Sequence, residues 1–475
     1  MGVILAPMPR AGWVQPETDQ RLSDHISIGV LTRVFPPDVV DKVIAQAGRI
    51  EQRQRLLPAR VVVYYVLSLA LFNDCAYEEV MRMLVEGLSW SEGWATTWNV
   101  PTKAALFKAR SRLGPEPLEL LYRASAAPLA NKRTKGAWYK SWRLMAIDGT
   151  CLDLADTEAN DAAFGRPGSK REGSSGVFPQ LRMVGLAECG THAIVNVALG
   201  GCRDADQNLT PGVFTSLVPG MLMLADRGFY SYRLWAAAQA TGADLAWRTK
   251  SNHVLEITRR FGDGSFLSAI YPSQKDRRHG TGGIKVRVIE YVMDGRSEPG
   301  GDETTYRLLT TILDPKRAPA HELAALYPER WEFETALDEL KTHQRSPRVV
   351  LRSKMPDGVT HEVYGYLCVH YAVRWLMHSV AQAARGDPDR LSFTRTLRVA
   401  RRTAVSHPGF FPLRSSTTPS VKCTPSCSSN CCRNGGSATT PARSSARCPT
   451  SSSSALSTAV RRLRLNPGPG FSLLK

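Results

Sequence analysis

The chain of 475 residues carries 61 lysines and arginines against 43 acids, a formal net charge of +18, with 43% hydrophobic and 22% charged residues. These proportions exclude a wholly disordered or collagen-like chain, and at about 150 residues per domain the length allows roughly three units. The cationic excess suits a partner of polyanions, nucleic acid first, and the longest apolar run, Val61–Phe72, falls short of the ~20 residues of a membrane span.

Residues 1–26 read as an N-terminal arm. Val3 to Ala6 has no basic residue before it, and its apolar core is shorter than the roughly 7–15 residues of a secretory signal, so a cytoplasmic, nucleoid-associated protein is expected. From Ile28 to about Ala130 the apolar positions Val30, Leu31, Val34 and Phe35, then Val61 to Phe72, then Val80, Met81, Met83 and Leu84 recur at three- and four-residue steps. That period predicts an all-α domain over 27–135. Within it, Lys103 to Gly114 is a short helix closed by a glycine, with Lys108, Arg110 and Arg112 on a basic face. The face suits DNA phosphates and equally suits solvent.

The period changes at Arg143. Strand-like runs at 144–147, 180–186, 193–199 and 221–225 open an α/β domain taken over 136–410. Further runs at 245–248, 254–257, 284–292 and 306–312 are separated by glycine-rich turns without an amphipathic helix between them. They predict a mostly antiparallel, β-rich insert over about 242–315. Helices return from His321 to about Ala384.

Two aspartates stand where buried strands are expected to end, Asp148 after Leu144–Ile147 and Asp226 after Met221–Ala225. Neighbouring carboxylates repel unless a cation lies between them, and hard oxygen ligands at adjacent strand ends suit divalent ions. An aspartate after a strand is also an ordinary turn or cap residue. Farther on, Tyr327, Arg330, Glu334 and Lys341 are separated by steps of 3, 4 and 7. At about 100° per residue they fall within roughly 60° of one another on a helix that Pro328 would begin. One acid among an aromatic and two cations fits a metal-and-phosphate surface, with Glu334 completing the metal shell and Arg330 and Lys341 holding phosphates. The same spacing also allows simple ion pairs along a solvated helix, Glu334 with Arg330 and Asp338 with Lys341.

After Asp389 no acidic residue occurs, and from Thr417 the chain turns to Ser, Thr, Cys, Pro and Gly. Cys423, Cys427, Cys431, Cys432 and Cys448 crowd into this stretch without the paired C-x2-C knuckles of a zinc site. Back-translated with G/C-ending codons and read one frame over, Lys422–Gly436 gives Val-His-Ala-Glu-Leu-Leu-Glu-Gln-Leu-Leu-Pro-Glu-Arg-Arg, an amphipathic helix with a basic end. We read 411–475 as a low-complexity, disordered tail produced by a frameshift.

The segment Tyr327-Pro-Glu-Arg330-Trp-Glu-Phe-Glu334-Thr-Ala-Leu-Asp-Glu-Leu-Lys341 carries the complete pattern Y-(2)-R-(3)-E-(6)-K. In this the chain resembles the DDE transposases of bacterial insertion sequences, the IS-four group. Ile147-Asp148-Gly-Thr and Ala225-Asp226-Arg-Gly-Phe-Tyr230 look like the family's other two motifs, and the longer gap, from Asp226 to Glu334, is similar to the family's place for a β-rich insert. The resemblance covers about residues 20–410. It implies an RNase H-like catalytic domain in which Asp148, Asp226 and Glu334 are the catalytic residues and bind two Mg²⁺ (or Mn²⁺) ions. It further implies that Tyr327, Arg330 and Lys341 grip DNA, that the partner is double-stranded DNA at terminal inverted repeats and target, and that a homodimer forms the synaptic complex. The expected function is strand cleavage and strand transfer by two-metal phosphoryl transfer. A catalytically impaired DNA-binding relic and an RNase H-like nuclease without strand transfer are the alternatives.

Overall fold

A computed structural model describes residues 29–53, 55–89, 100–167, 178–297, 303–345, 350–406 and 463–465. Among the described residues six helices come first: α1 (Val30–Val34), α2 (Pro37–Gln46), α3 (Ala59–Leu71), α4 (Tyr77–Ser89), α5 (Lys103–Leu113) and α6 (Glu116–Ser125). The run Val61–Leu71 is apolar all round because α3 is enclosed all round, every one of these residues being buried. Its neighbours are α2, α4, α5 and the long later helix α11 (Pro356–Ala383). The helical front is therefore built together with the C-terminal helices. Arg401 of α12 (Phe393–Ser406) donates to the Leu71 carbonyl (2.6 Å) and to Asn73 (3.0 Å), and the Gly114 carbonyl meets His361 of α11 at 2.6 Å. One apolar cluster runs from Val30 through the sheet to Ala404.

The sheet begins with an antiparallel meander, β1 (Trp142–Asp153), β2 (Gln180–Glu188) and β3 (Ala193–Gly201), with α7 (Glu158–Phe164) between the first two. β4 (Met221–Ala225) then pairs parallel with β1, and β5 (Asp244–Thr249) parallel with β4, joined by α8 (Tyr232–Gln239). The order β3-β2-β1-β4-β5, three antiparallel strands followed by two parallel ones, is the RNase H-like arrangement expected. Tyr122 of α6 donates to the Ile194 carbonyl of β3 (2.8 Å), seating the helical layer on the sheet.

The insert departs from expectation in its boundary. β6 (Phe266–Ile270), β7 (Ile284–Ser297) and β8 (Glu303–Thr310) are antiparallel to one another in sequence, and β8 pairs with β5, Leu309 opposite Trp247. The insert thus widens the central sheet, and the strand at 244–249 belongs to the parallel core. The run Val254–Ile257 is not a strand. Val254 is 64% and Ile257 45% exposed, so no layer covers them, and Phe266–Ile270 supplies the β7 partner instead. The buried Arg287 fastens the insert, donating to Ser265 Oγ (2.8 Å), the Ala318 carbonyl (2.6 Å) and Asp263 (2.6 Å).

Of the tail, Leu463–Leu465 is described as a short strand pairing antiparallel with β7, Leu463 opposite Met293, so the disorder expected over 411–475 does not extend to these three residues. The remainder of the tail, its cysteine cluster and the arm 1–26 lie outside the described residues. Among the described residues no helix is long and apolar enough to cross a membrane.

Candidate active site

The four signature residues lie on a helical run of changing pitch: α9 (Ala320–Leu326), a 3₁₀ turn over Tyr327–Arg330, α10 (Trp331–Asp338) and a π-helical segment over Glu339–Gln344. The helix does not begin at Pro328, as expected; α9 precedes it, and the tighter 3₁₀ turn takes up a residue that has no N–H for the preceding turn. The run lies against the sheet beside Asp148. Gly185 is the register partner of Asp148, and a Cβ at Gly185 would stand 2.8 Å from the Phe333 ring. The missing side chain lets α10 come this close.

Asp148 is not at the end of its strand. β1 continues to Asp153 along β2, while its parallel partner β4 stops pairing at Ala146 opposite Leu224. Asp148 therefore faces the opening left where β4 ends, and Asp226 is the first residue after β4. Arg330 bridges the acids: Nη1 donates to Asp148 Oδ2 (3.1 Å) and Nη2 to Glu334 Oε1 (3.2 Å). The Tyr327 hydroxyl is shared between the Ala225 carbonyl (3.2 Å) and Asp226 Oδ1 (3.3 Å). Lys341 Nζ donates to Thr150 Oγ1 (2.9 Å), two residues beyond Asp148. Three acids far apart in sequence thus converge at one end of the parallel strands, tied together by the signature arginine and tyrosine.

The charge there is unbalanced. Burial pushes the Asp148 carboxyl above the usual aspartate range; the Gly149 N–H (2.8 Å) and Arg330 pull it back, and Asp226 raises it again. Burial likewise raises Glu334, against the pull of Arg330 and with repulsion from Asp148 and Asp226. Arg330, with a side chain only 7% exposed, is the cation between two of the three carboxylates. Convergent carboxylate oxygens that repel one another are the donor set that Mg²⁺ or Mn²⁺ takes, so the residues present fit the ions.

The basic face of α5 is only partly presented. Arg110 donates to the Gly358 carbonyl (3.4 Å) and lies over the Tyr77 ring, and Arg112 donates to the Leu57 carbonyl (2.8 Å) beside Glu51 (3.5 Å). Both serve contacts within the protein, whereas Lys108 is exposed. Sequence reasoning missed Arg248, whose Nη1 is 3.7 Å from Asp226 Oδ1 and whose guanidinium lies 4.3 Å over the Tyr306 ring. Its signal was available, since it stands near the end of a parallel strand next to the one that leads to Asp226.

A second cluster lies behind the signature helix. His192, Glu332 and Asp389 have ligand atoms within 4.8 Å of one another. His192 Nε2 is hydrogen-bonded to Glu332, and its Nδ1 meets Arg374 of α11, which also donates to Glu339 (2.8 Å). With Arg374 at Nδ1, the nitrogen facing Glu332 carries a proton in either charge state of the ring and has no lone pair for a cation. Burial and Arg374 depress His192, yet Glu332 and Glu339 outweigh them and push it up to about 9. The cluster is a buried ion-pair network that clamps the helix bearing Glu334 to α11 and to the β2–β3 turn.

The strand order and the placement of the acids define the class, an RNase H-like DDE domain behind a helical front. Two family models match in tandem, "Insertion element 4 transposase N-terminal" over residues 25–123 and "Transposase DDE domain" over 141–371. The chain is 27% identical over 384 residues to the transposase InsG for insertion sequence element IS4 of Escherichia coli K12, covering 80% of this chain and 83% of that protein. Among solved structures, a cryo-EM structure of the piggyBac transposase synaptic complex with hairpin DNA aligns over 86% of each chain at 10% identity and a TM-score of 0.39. The chain belongs to the DDE transposases of the IS4 family.

Proposed function

We propose that this chain cuts DNA at the ends of an insertion sequence and joins the freed ends to target DNA, with Asp148, Asp226 and Glu334 as catalytic residues and ligands of two Mg²⁺ or Mn²⁺ ions. The observation that carries the reading is the convergence of these three carboxylates around Arg330 and Tyr327. Divalent ions held there supply the activation of a water, and later of a DNA 3′-hydroxyl, and stabilise the leaving oxygen of an in-line displacement. The first displacement breaks a P–O bond and releases the element's 3′-hydroxyl. In the second, that hydroxyl attacks a phosphorus of the target and the target's own 3′-oxygen leaves.

The protein's residues set the geometry for both steps. Arg330 holds Asp148 and Glu334 at a fixed separation and presents its remaining donors to phosphate. Tyr327 fixes the rotamer of Asp226, Arg248 offsets its charge, and Lys341 stands over Thr150 at the rim to meet the backbone. Two copies of the chain hold the two element ends as a homodimer.

Incubated with Mg²⁺, the full chain is expected to cut a plasmid carrying its gene and native flanks, leaving free 3′-hydroxyls at the element boundaries, and a chelator is expected to stop the reaction. End binding without cleavage would mark a relic; cleavage unaffected by the chelator would overturn the metal assignment.

A further inference from the structure

The Asp226 side of the site continues into a surface that the signature does not touch. Asp226 is followed by a segment reaching Tyr230, whose ring packs on His253 (5.2 Å between centroids), and Tyr232, whose hydroxyl donates to the Gly282 carbonyl (2.7 Å). Gly282 closes the turn after a short helix, Gln274–His279, and Arg277 of that helix donates to Glu256 (2.7 Å) and to the Val254 carbonyl (3.4 Å). These contacts join three stretches, 226–233, 250–257 and 274–282, into one rim running outward from Asp226.

Its exposed charges have one dominant sign. Arg227, Arg233, Lys250, Lys275 and Arg278 are exposed. The acids among them are engaged: Glu256 is paired with Arg277, and Asp276 is hydrogen-bonded to Ser273 at the start of its own helix. Five exposed cations, against a Glu256 held by Arg277 and an Asp276 that keeps its charge, leave a net positive surface complementary to a regular polyanion. A protein partner would instead be met by a broad apolar centre; here the exposed Val254 and Ile257, with the half-buried Leu255 between them, make only a short apolar stretch flanked by charged and polar residues.

We infer that Arg227, Arg233, Lys250, Lys275 and Arg278 form a track that holds the phosphates of duplex DNA on the Asp226 side of the bond to be cut. The inference rests on the proposed DNA-cleaving function and assigns a part of the substrate surface to it. Phosphate contacts of this kind carry no sequence information, so the track sets the position and direction of the duplex and leaves recognition of the element end to other residues.

The test uses the full chain, with Lys250, Lys275 and Arg278 replaced together by alanine, and a labelled linear duplex of arbitrary sequence as probe. Binding is measured by anisotropy between about 50 and 200 mM salt, where each lost phosphate contact flattens the slope of log K against log[salt] by about 0.9. The triple variant is expected to lose about 2.7 from the slope, with an unchanged thermal transition because the three side chains are exposed. Lys135→Ala, an exposed cation near the start of β1, is expected to keep the wild-type slope. An unchanged slope in the triple variant, with wild-type binding intact, overturns the track alone. Absence of salt-dependent duplex binding by the wild-type chain overturns the parent function and the track with it.

Discussion

Glu334→Gln abolishes strand cleavage, by at least about 10³-fold, and leaves DNA-end binding close to that of the unsubstituted chain. Glutamine has the shape of glutamate and keeps a carbonyl oxygen for Arg330, which lies 3.2 Å away. The position is 40% exposed in its side chain, so the fold tolerates the exchange. What disappears is one negative charge from a group of three, and with it a ligand for a hard cation. The residues assigned to phosphate, Arg330 and Lys341, are untouched, so a gel-shift assay separates binding from chemistry. Cleavage retained by the variant would remove Glu334 from the metal role.

The second large effect is on stability. Arg374→Met removes the buried cation that donates to Glu339 through Nε (2.8 Å) and Nη2, where both side chains are under a tenth exposed. Breaking one side of a buried pair strands the other charge, at a cost of about 3–5 kcal/mol, and a fall in Tm of about 3–7 °C follows for a chain of this size. The pH dependence fixes the cause. Burial alone would raise Glu339, but Arg374, His192 and His370 hold its carboxyl far below the usual glutamate range. A depressed acid contributes stability that is present above its unfolded pKa, 4.5, and is lost as pH falls below it. In the variant Glu339 is buried without that partner and favours the protonated form, so the gap between the two proteins is widest near neutrality and narrows below about pH 4.5. Equal unfolding midpoints at neutral pH would show that the network contributes nothing net. Because Glu339 continues the helix that carries Glu334, cleavage is expected to weaken with it.

The spacing of the candidate site was more legible than the register of the sheet. Steps of 3, 4 and 7 through Tyr327, Arg330, Glu334 and Lys341 survive changes of helical pitch because Tyr327, Arg330 and Lys341 each still meet a partner on or beside the sheet and Arg330 holds Glu334. Nothing in the spacing announced those changes, since the overwinding of the 3₁₀ turn and the underwinding of the π segment act in opposite senses along the run. The strands of the core were readable from alternation and apolar runs. The pairing of β8 with β5 was not, because a long-range register is decided by the facing strand and not by the strand itself. Lys108, Arg110 and Arg112 look alike in sequence, yet two of them reach the carbonyls of Gly358 and Leu57, which belong to distant segments. The buried network was invisible for the same reason: His192, Glu332, Glu339, Arg374 and Asp389 are ordinary singly and become a unit only when four segments pack.

The central claim is that Asp148, Asp226 and Glu334 together hold divalent ions, and it is tested most directly by titrating Mn²⁺ into the full chain on duplex DNA with calorimetric readout. The wild-type protein is expected to take up two ions, and Asp148→Asn and Asp226→Asn, each close in shape to the residue replaced, are expected to lose that uptake while still binding DNA. Equal uptake of Mn²⁺ by wild type and both variants would contradict the account.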